Sequence, residues 1–116
     1  KEIGNIMYLV REKKKAIKII IESGILLEEE IVKCCELYSR YGVDFMKTST
    51  GYAERGATVE AVRLMRANLP ANIQIKASGG IRTFVFAEEL IAAGATRIGT
   101  SAGLDIVRES REAAAQ

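Results

Sequence analysis

The run Ile73-Gln74-Ile75-Lys76-Ala77-Ser78-Gly79-Gly80-Ile81-Arg82-Thr83 holds a strand, a glycine loop and the cap of a helix. Ile73, Ile75 and Ala77 alternate with Gln74, Lys76 and Ser78, which is the two-residue period of a strand with one apolar side. Gly79 and Gly80 break that period. Thr83 then offers an N-cap to a helical pattern that carries Phe84, Ala87, Leu90 and Ile91 and stops at Gly94, a C′ glycine. Outward from this unit the same order recurs. Residues 16–21, 43–49 and 96–99 read as further strands, beside 73–77. Helical patterns cover 28–41, with Ile31, Cys34, Cys35 and Tyr38 along one face, and 104–115. Another begins after the N-cap Thr58, with Glu60 in its first turn and Val62, Leu64 and Met65 apolar. An opening helix over 3–11 completes the pattern α-(βα)₄.

Alternation of strand and helix implies a parallel sheet with right-handed crossovers. An open doubly wound sheet and part of a (β/α)₈ TIM-type barrel both fit, and both place their sites at the C-terminal ends of strands. Size separates them. A full barrel takes about 250 residues, and this chain has 116. Four barrel strands alone leave two unpaired edges, and the chain starts at Lys1 rather than at a methionine. The expectation is one domain, 1–116, forming the C-terminal half of a barrel.

Composition narrows the function. Hydrophobic residues make up 48% and charged residues 28%, ordinary values for a globular domain. Net charge is +2, and the one basic cluster, Lys13-Lys14-Lys15, sits where the opening helix ends and cations are favourable. Aromatic residues are not interleaved with basic ones, so no nucleic-acid partner is expected. No apolar stretch approaches a membrane span and no signal peptide is visible, so a cytoplasmic protein is expected. Cys34 and Cys35 are adjacent on a helical pattern and point about 100° apart, which argues against a disulfide framework or metal site. Histidine is absent. Any chemistry in this chain must therefore run on lysine, carboxylate, hydroxyl and backbone.

Lysine is the informative residue. Lys47 closes Asp44-Phe45-Met46-Lys47, and Lys76 closes Ile73-Gln74-Ile75-Lys76. An ammonium at the end of an apolar strand is partly desolvated, and a second ammonium nearby disfavours it further. Moving a lysine from ~10.4 to about 7.5 is roughly 4 kcal/mol of destabilisation of its charged form, and the neutral amine can then attack a carbonyl. Alternation sends Lys76 away from the helices, into the barrel interior. Lys47 follows if Val43, Phe45 and Ser49 share the inner face, which the pattern leaves open. Lys18 interrupts the isoleucines of the first strand and also projects inward. Small-residue loops follow successive strands: Thr50-Gly51, Ser78-Gly79-Gly80 and Gly99-Thr100-Ser101-Ala102-Gly103. Such loops bring backbone N–H groups close to an anion, and barrels commonly hold phosphate after their seventh and eighth strands.

Lys47-Thr48-Ser49-Thr50-Gly51, Gly56-Ala57-Thr58, Lys76-Ala77-Ser78-Gly79-Gly80-Ile81-Arg82-Thr83 and Gly94-Ala95-Thr96-Arg97-Ile98-Gly99-Thr100-Ser101 resemble, in order, the deoxyribose-phosphate aldolases. The run Ile19-Ile20-Ile21-Glu22-Ser23-Gly24 is similar to that family's fifth strand. The resemblance implies a class I aldolase on a (β/α)₈ barrel, which reversibly cleaves 2-deoxy-D-ribose 5-phosphate to acetaldehyde and glyceraldehyde 3-phosphate without a cofactor or metal. It implies Lys47 as Schiff-base nucleophile and Lys76 as the neighbouring amine that assists proton transfer. It further implies Gly51, Gly79, Gly80, Gly99, Ser101 and the backbone of Ala102 around the phosphate, with Lys18 and Thr50 behind them. Two departures stand out. Ala102 replaces a second serine common in the family, and the family's proton-relay aspartate belongs to a fourth strand that has no counterpart here; Asp44 and Asp105 do not match it. The expected partners are a phosphorylated sugar, an aldehyde, and either further copies of the chain or a missing N-terminal half. The competing expectations are a non-catalytic half-barrel that self-associates and at most binds phosphate, and a phosphate-binding barrel enzyme that does not use Lys47.

Overall fold

In the computed structural model, residues 18–49 and 55–115 are described. The strands are β1 (Lys18–Ile20), β2 (Phe45–Lys47), β3 (Gln74–Ser78) and β4 (Arg97–Gly99). The helices are α1 (Glu28–Tyr41), α2 (Val59–Asn68), α3 (Phe84–Ala93) and α4 (Gly103–Ala114), and a short 3₁₀ turn spans Ser23–Ile25. Each expected strand and helix from β1 onward is present, the strands shorter by a residue or two at most of their described ends, while positions 16 and 17 of the expected first strand lie outside the described residues. The opening helix, the Lys13-Lys14-Lys15 cluster, Thr50 and Gly51 lie outside the described residues.

Local chemistry sets the helix starts. Thr58 accepts a hydrogen bond from the Ala61 N–H at 3.1 Å, and Thr83 accepts one from Phe86 at 3.1 Å. α1 has no capping hydroxyl. Instead the Leu27 N–H donates to the Glu30 carboxylate at 2.8 Å, and Glu28, Glu29 and Glu30 place negative charge on its positive end.

The strands lie parallel in the order β1-β2-β3-β4. A doubly wound sheet reverses strand order at a switch point. Sequential order with helices kept to one side is the winding of a barrel, and the fold is a half-barrel of (βα) units.

The two sheet faces differ sharply. Met46, Ile75 and Ala77 are 0% exposed beneath the helices, packed with Cys35, Val62, Met65 and Leu90. Each large side chain buried there contributes about 1.5–3 kcal/mol. The opposite, lumenal face carries Lys18, Ile20, Phe45, Lys47, Gln74, Lys76 and Arg97, and Ile20 is 44% exposed. Among the described residues nothing covers that face. Apolar surface accumulates on α4 as well, where Leu104 and Val107 are exposed and no residue is buried.

Candidate active site

Strand register settles where the two lysines point. Lys47 pairs directly with Lys76 across the parallel β2–β3 ladder, as Phe45 does with Gln74. Registered partners in a parallel sheet share a face. Met46 and Ile75 pair on the helix side, so Lys47 and Lys76 stand side by side on the lumenal side, each half-buried.

A buried hydroxyl cluster fixes their spacing. Where the ladder ends, Thr48 takes over: its Oγ1 accepts from the Ser78 N–H at 3.1 Å and lies 3.1 Å from the Ser78 carbonyl oxygen, to which it donates. Ser78 Oγ returns the bond to the Ser49 carbonyl at 2.7 Å, and Ser49 Oγ donates to Thr48 Oγ1 at 3.2 Å. The Thr48 carbonyl accepts from Ser23 at 2.7 Å, which ties the loop after β1 into the same point. Thr48 and Ser49 are fully buried. Thr48→Val keeps the shape but orphans the buried Ser78 N–H, at about 1–3 kcal/mol. Chemical denaturation should read that loss, with Thr48→Ser close to wild type.

The loop after β3 needs glycine. Gly79 and Gly80 have φ of 92° and 73°, in the left-handed region where a side chain is strained. The Gly79 carbonyl accepts from the Ala57 N–H at 3.1 Å, so the loops after β2 and β3 are joined. Gly99 lies under Lys76: a Cβ there would be 3.0 Å from Lys76 Cε.

Beside these loops is a cavity of about 290 Å³. Lys47 and Ser78 form one side, and Gly79, Arg82, Gly99 and Ser101 line the rest with Ile81 and Thr100. The N-terminus of α4, which has no side-chain cap, adjoins Ser101. Glycine backbone, a guanidinium and a helix N-terminus together favour an anion such as phosphate, within reach of an amine. A larger cavity, about 520 Å³, lies between the loop after β1 and α2, beside Leu26, Ile31 and Leu64. Neither lysine lines it.

Several cations bear on Lys76. Lys18 above all, then partial burial, then Lys47 and Arg97 hold its ammonium below the ordinary lysine value. Cys34 and Cys35 are free thiols, and burial first pushes Cys35 up to about 11, which removes it as a nucleophile. Among the described residues, no group of three His, Cys, Asp or Glu side chains stands close enough to hold a metal ion.

The structure thus brings together Lys47, Lys76, Gly79, Gly99 and Ser101, with Gly80 in the adjoining turn and Lys18 on β1 of the same face. Ala102 is different. Its N–H, expected to face phosphate, donates to Thr100 Oγ1 at 2.9 Å, and Ala102 does not line the cavity. A local turn through a threonine two residues earlier has claimed that donor. The sequence reading missed Arg82, Thr48 and Thr100. Arg82 had a visible signal, a fixed cation two residues after a glycine pair and just before a helix.

Comparison with known proteins identifies the family. Residues 6–109 match the DeoC/LacD family of aldolases, and the chain belongs to that family. It is 49% identical over 113 residues to the deoxyribose-phosphate aldolase of Thermococcus gammatolerans, covering 97% of this chain and 50% of that protein. Against the Clostridium tetani deoxyribose-phosphate aldolase it is 52% identical over 98 residues, covering 84% of this chain and 45% of that one. Among solved structures, the aldolase QR15 superposes with a TM-score of 0.85 at 44% identity, covering 97% of this chain and 52% of that one. The tetrameric deoxyribose phosphate aldolase of Aeropyrum pernix gives 0.85 at 28% identity, covering 97% and 48%. The chain spans about half the length of the curated relatives it matches.

Proposed function

We propose that the protein is a class I aldolase that reversibly cleaves 2-deoxy-D-ribose 5-phosphate to acetaldehyde and glyceraldehyde 3-phosphate, in cytoplasmic deoxyribonucleotide catabolism. The observation that carries this reading is the registered pair Lys47–Lys76 beside a glycine-lined cavity holding Arg82.

In this reading the Lys47 amine adds to the C1 aldehyde and water leaves, forming an iminium ion. The 3-hydroxyl gives up its proton and the C2–C3 bond breaks, its electron pair moving into the iminium to give an enamine. Glyceraldehyde 3-phosphate departs. Protonation at C2 and hydrolysis then release acetaldehyde and the free lysine. Lys76, whose ammonium is disfavoured by Lys18, partial burial, Lys47 and Arg97, exchanges protons at this centre. Arg82, Ser101 and the backbone of Gly79 and Gly99 hold the phosphate, with Gly80 shaping the turn. Gly51 and Thr50 extend the site from the loop after β2. The four strands contain no Asp or Glu, so any carboxylate in the proton relay comes from outside them. Pairing with a further set of strands, from a first half or a second copy, would cover the bare lumenal face and its Ile20.

The test is a cleavage assay that reads release of acetaldehyde, the product common to the phosphorylated and unphosphorylated sugars. Two charge-assisted hydrogen bonds to phosphate are worth about 1.5–3 kcal/mol each, so unphosphorylated 2-deoxyribose should show kcat/KM lower by on the order of 10²–10⁴. Equal kcat/KM for the two sugars would remove the phosphate from the reading.

A further inference from the structure

The lumenal face carries Lys18 from β1, Lys47 from β2, Lys76 from β3 and Arg97 from β4. The proposed reaction uses Lys47 and Lys76. The other two converge on one aromatic ring: Arg97 Cζ is 4.6 Å, and Lys18 Nζ 6.0 Å, from the centroid of Phe45. Arg97 is the registered neighbour of Lys76 on β4, yet its guanidinium reaches across β3 to a ring on β2. It is exposed, and an exposed arginine beside three other cations gains by turning into water. Here it lies on the sheet, attracted to the negative face of the ring.

We propose that Phe45 is a positioning residue, whose ring holds the Arg97 guanidinium and the Lys18 ammonium on the face that carries Lys76, so that the Lys76 amine stays available for proton transfer. This rests on the aldolase reading for the use made of Lys76, but not for the contact itself. Arg97 is the fixed part of the device, because a guanidinium keeps its charge at any working pH. The charged groups that share the face with Lys76 are Lys18 on β1, Lys47 on β2 and Arg97 on β4, all cations, while Gln74 and Ser78 on its own strand are neutral. The direction of the shift at Lys76 agrees.

The test is competitive acetylation with trace acetic anhydride across pH in the full chain. Mass spectrometry reads labelling at Lys76 against added free Nα-acetyl-lysine. Phe45→Leu keeps an apolar side chain but loses the ring, and Arg97→Gln removes the charge. Each should move the Lys76 labelling midpoint upward by about half to one pH unit, or roughly 3- to 10-fold less labelling at a fixed pH below it. Phe45→Tyr, which keeps the ring, should label like wild type. A Phe45→Leu midpoint equal to wild type overturns the proposal, as does a Phe45→Tyr midpoint displaced as far as that of Phe45→Leu. If Phe45→Leu fails to fold, the exposed Arg97→Gln decides, and an unmoved midpoint there overturns it. Labelling needs no turnover, so the result stands apart from success or failure of the aldolase assay.

Discussion

Lys47→Met should abolish turnover, lowering kcat by on the order of 10⁴-fold or more, the scale seen when a covalent nucleophile is lost. The fold should survive. Methionine fills much the same volume at this half-buried position, and its loss of charge relieves a face that carries four cations. Thermal unfolding of Lys47→Met should therefore match wild type or lie slightly above it. Substrate analogues that need only the phosphate cavity should still bind, because Arg82, Gly79 and Ser101 are untouched. If Lys47→Met keeps near wild-type cleavage, Schiff-base chemistry at this position is wrong. The chain would then be a phosphate-binding barrel of another kind.

Gly56→Ala should be the most damaging small change away from the lysines. A Cβ at Gly56 would lie 2.1 Å from the Gly79 carbonyl oxygen and 2.3 Å from its carbon. The obstacle is backbone, which cannot yield as a flexible side chain does. Gly79 is itself in a left-handed conformation and accepts from Ala57, so moving it breaks the junction of two loops. The expected cost is about 3 kcal/mol or more, a fall in melting temperature on the order of 10 °C. Phosphate affinity should weaken with it, since Gly79 lines the cavity. Gly103→Ala is the control, because a Cβ there meets nothing within 4 Å. Equal melting temperatures for the two variants would show that the loops do not meet as described.

What the sequence disclosed, and what it did not, follows from the range of each signal. The strand–loop–helix rhythm was legible because it is local: alternation in Ile73–Ala77, threonine caps at 58 and 83, and glycine after 93 each act within a few residues. Barrel against doubly wound sheet was not legible from pattern, since both use the same units; chain length pointed to the barrel, and the sequential strand order bears it out. The face of Lys47 was ambiguous because Val43, Phe45 and Met46 are all apolar. Register with Lys76 resolved it. The hydroxyl cluster of Thr48 and Ser49 was not legible, because their partner, Ser78, lies about thirty positions away. The Ala102 amide is the opposite case. The resemblance weighed which atom could serve a phosphate, and the threonine two residues before it took the donor first.

Borohydride reduction in the presence of acetaldehyde, followed by mass spectrometry of the peptide that contains Lys47, tests the central claim most directly. The account predicts an ethyl group on Lys47 at neutral pH in folded protein, absent from Lys47→Met. An unmodified Lys47 under the same conditions, or an ethyl group on Lys76 in its place, would contradict it.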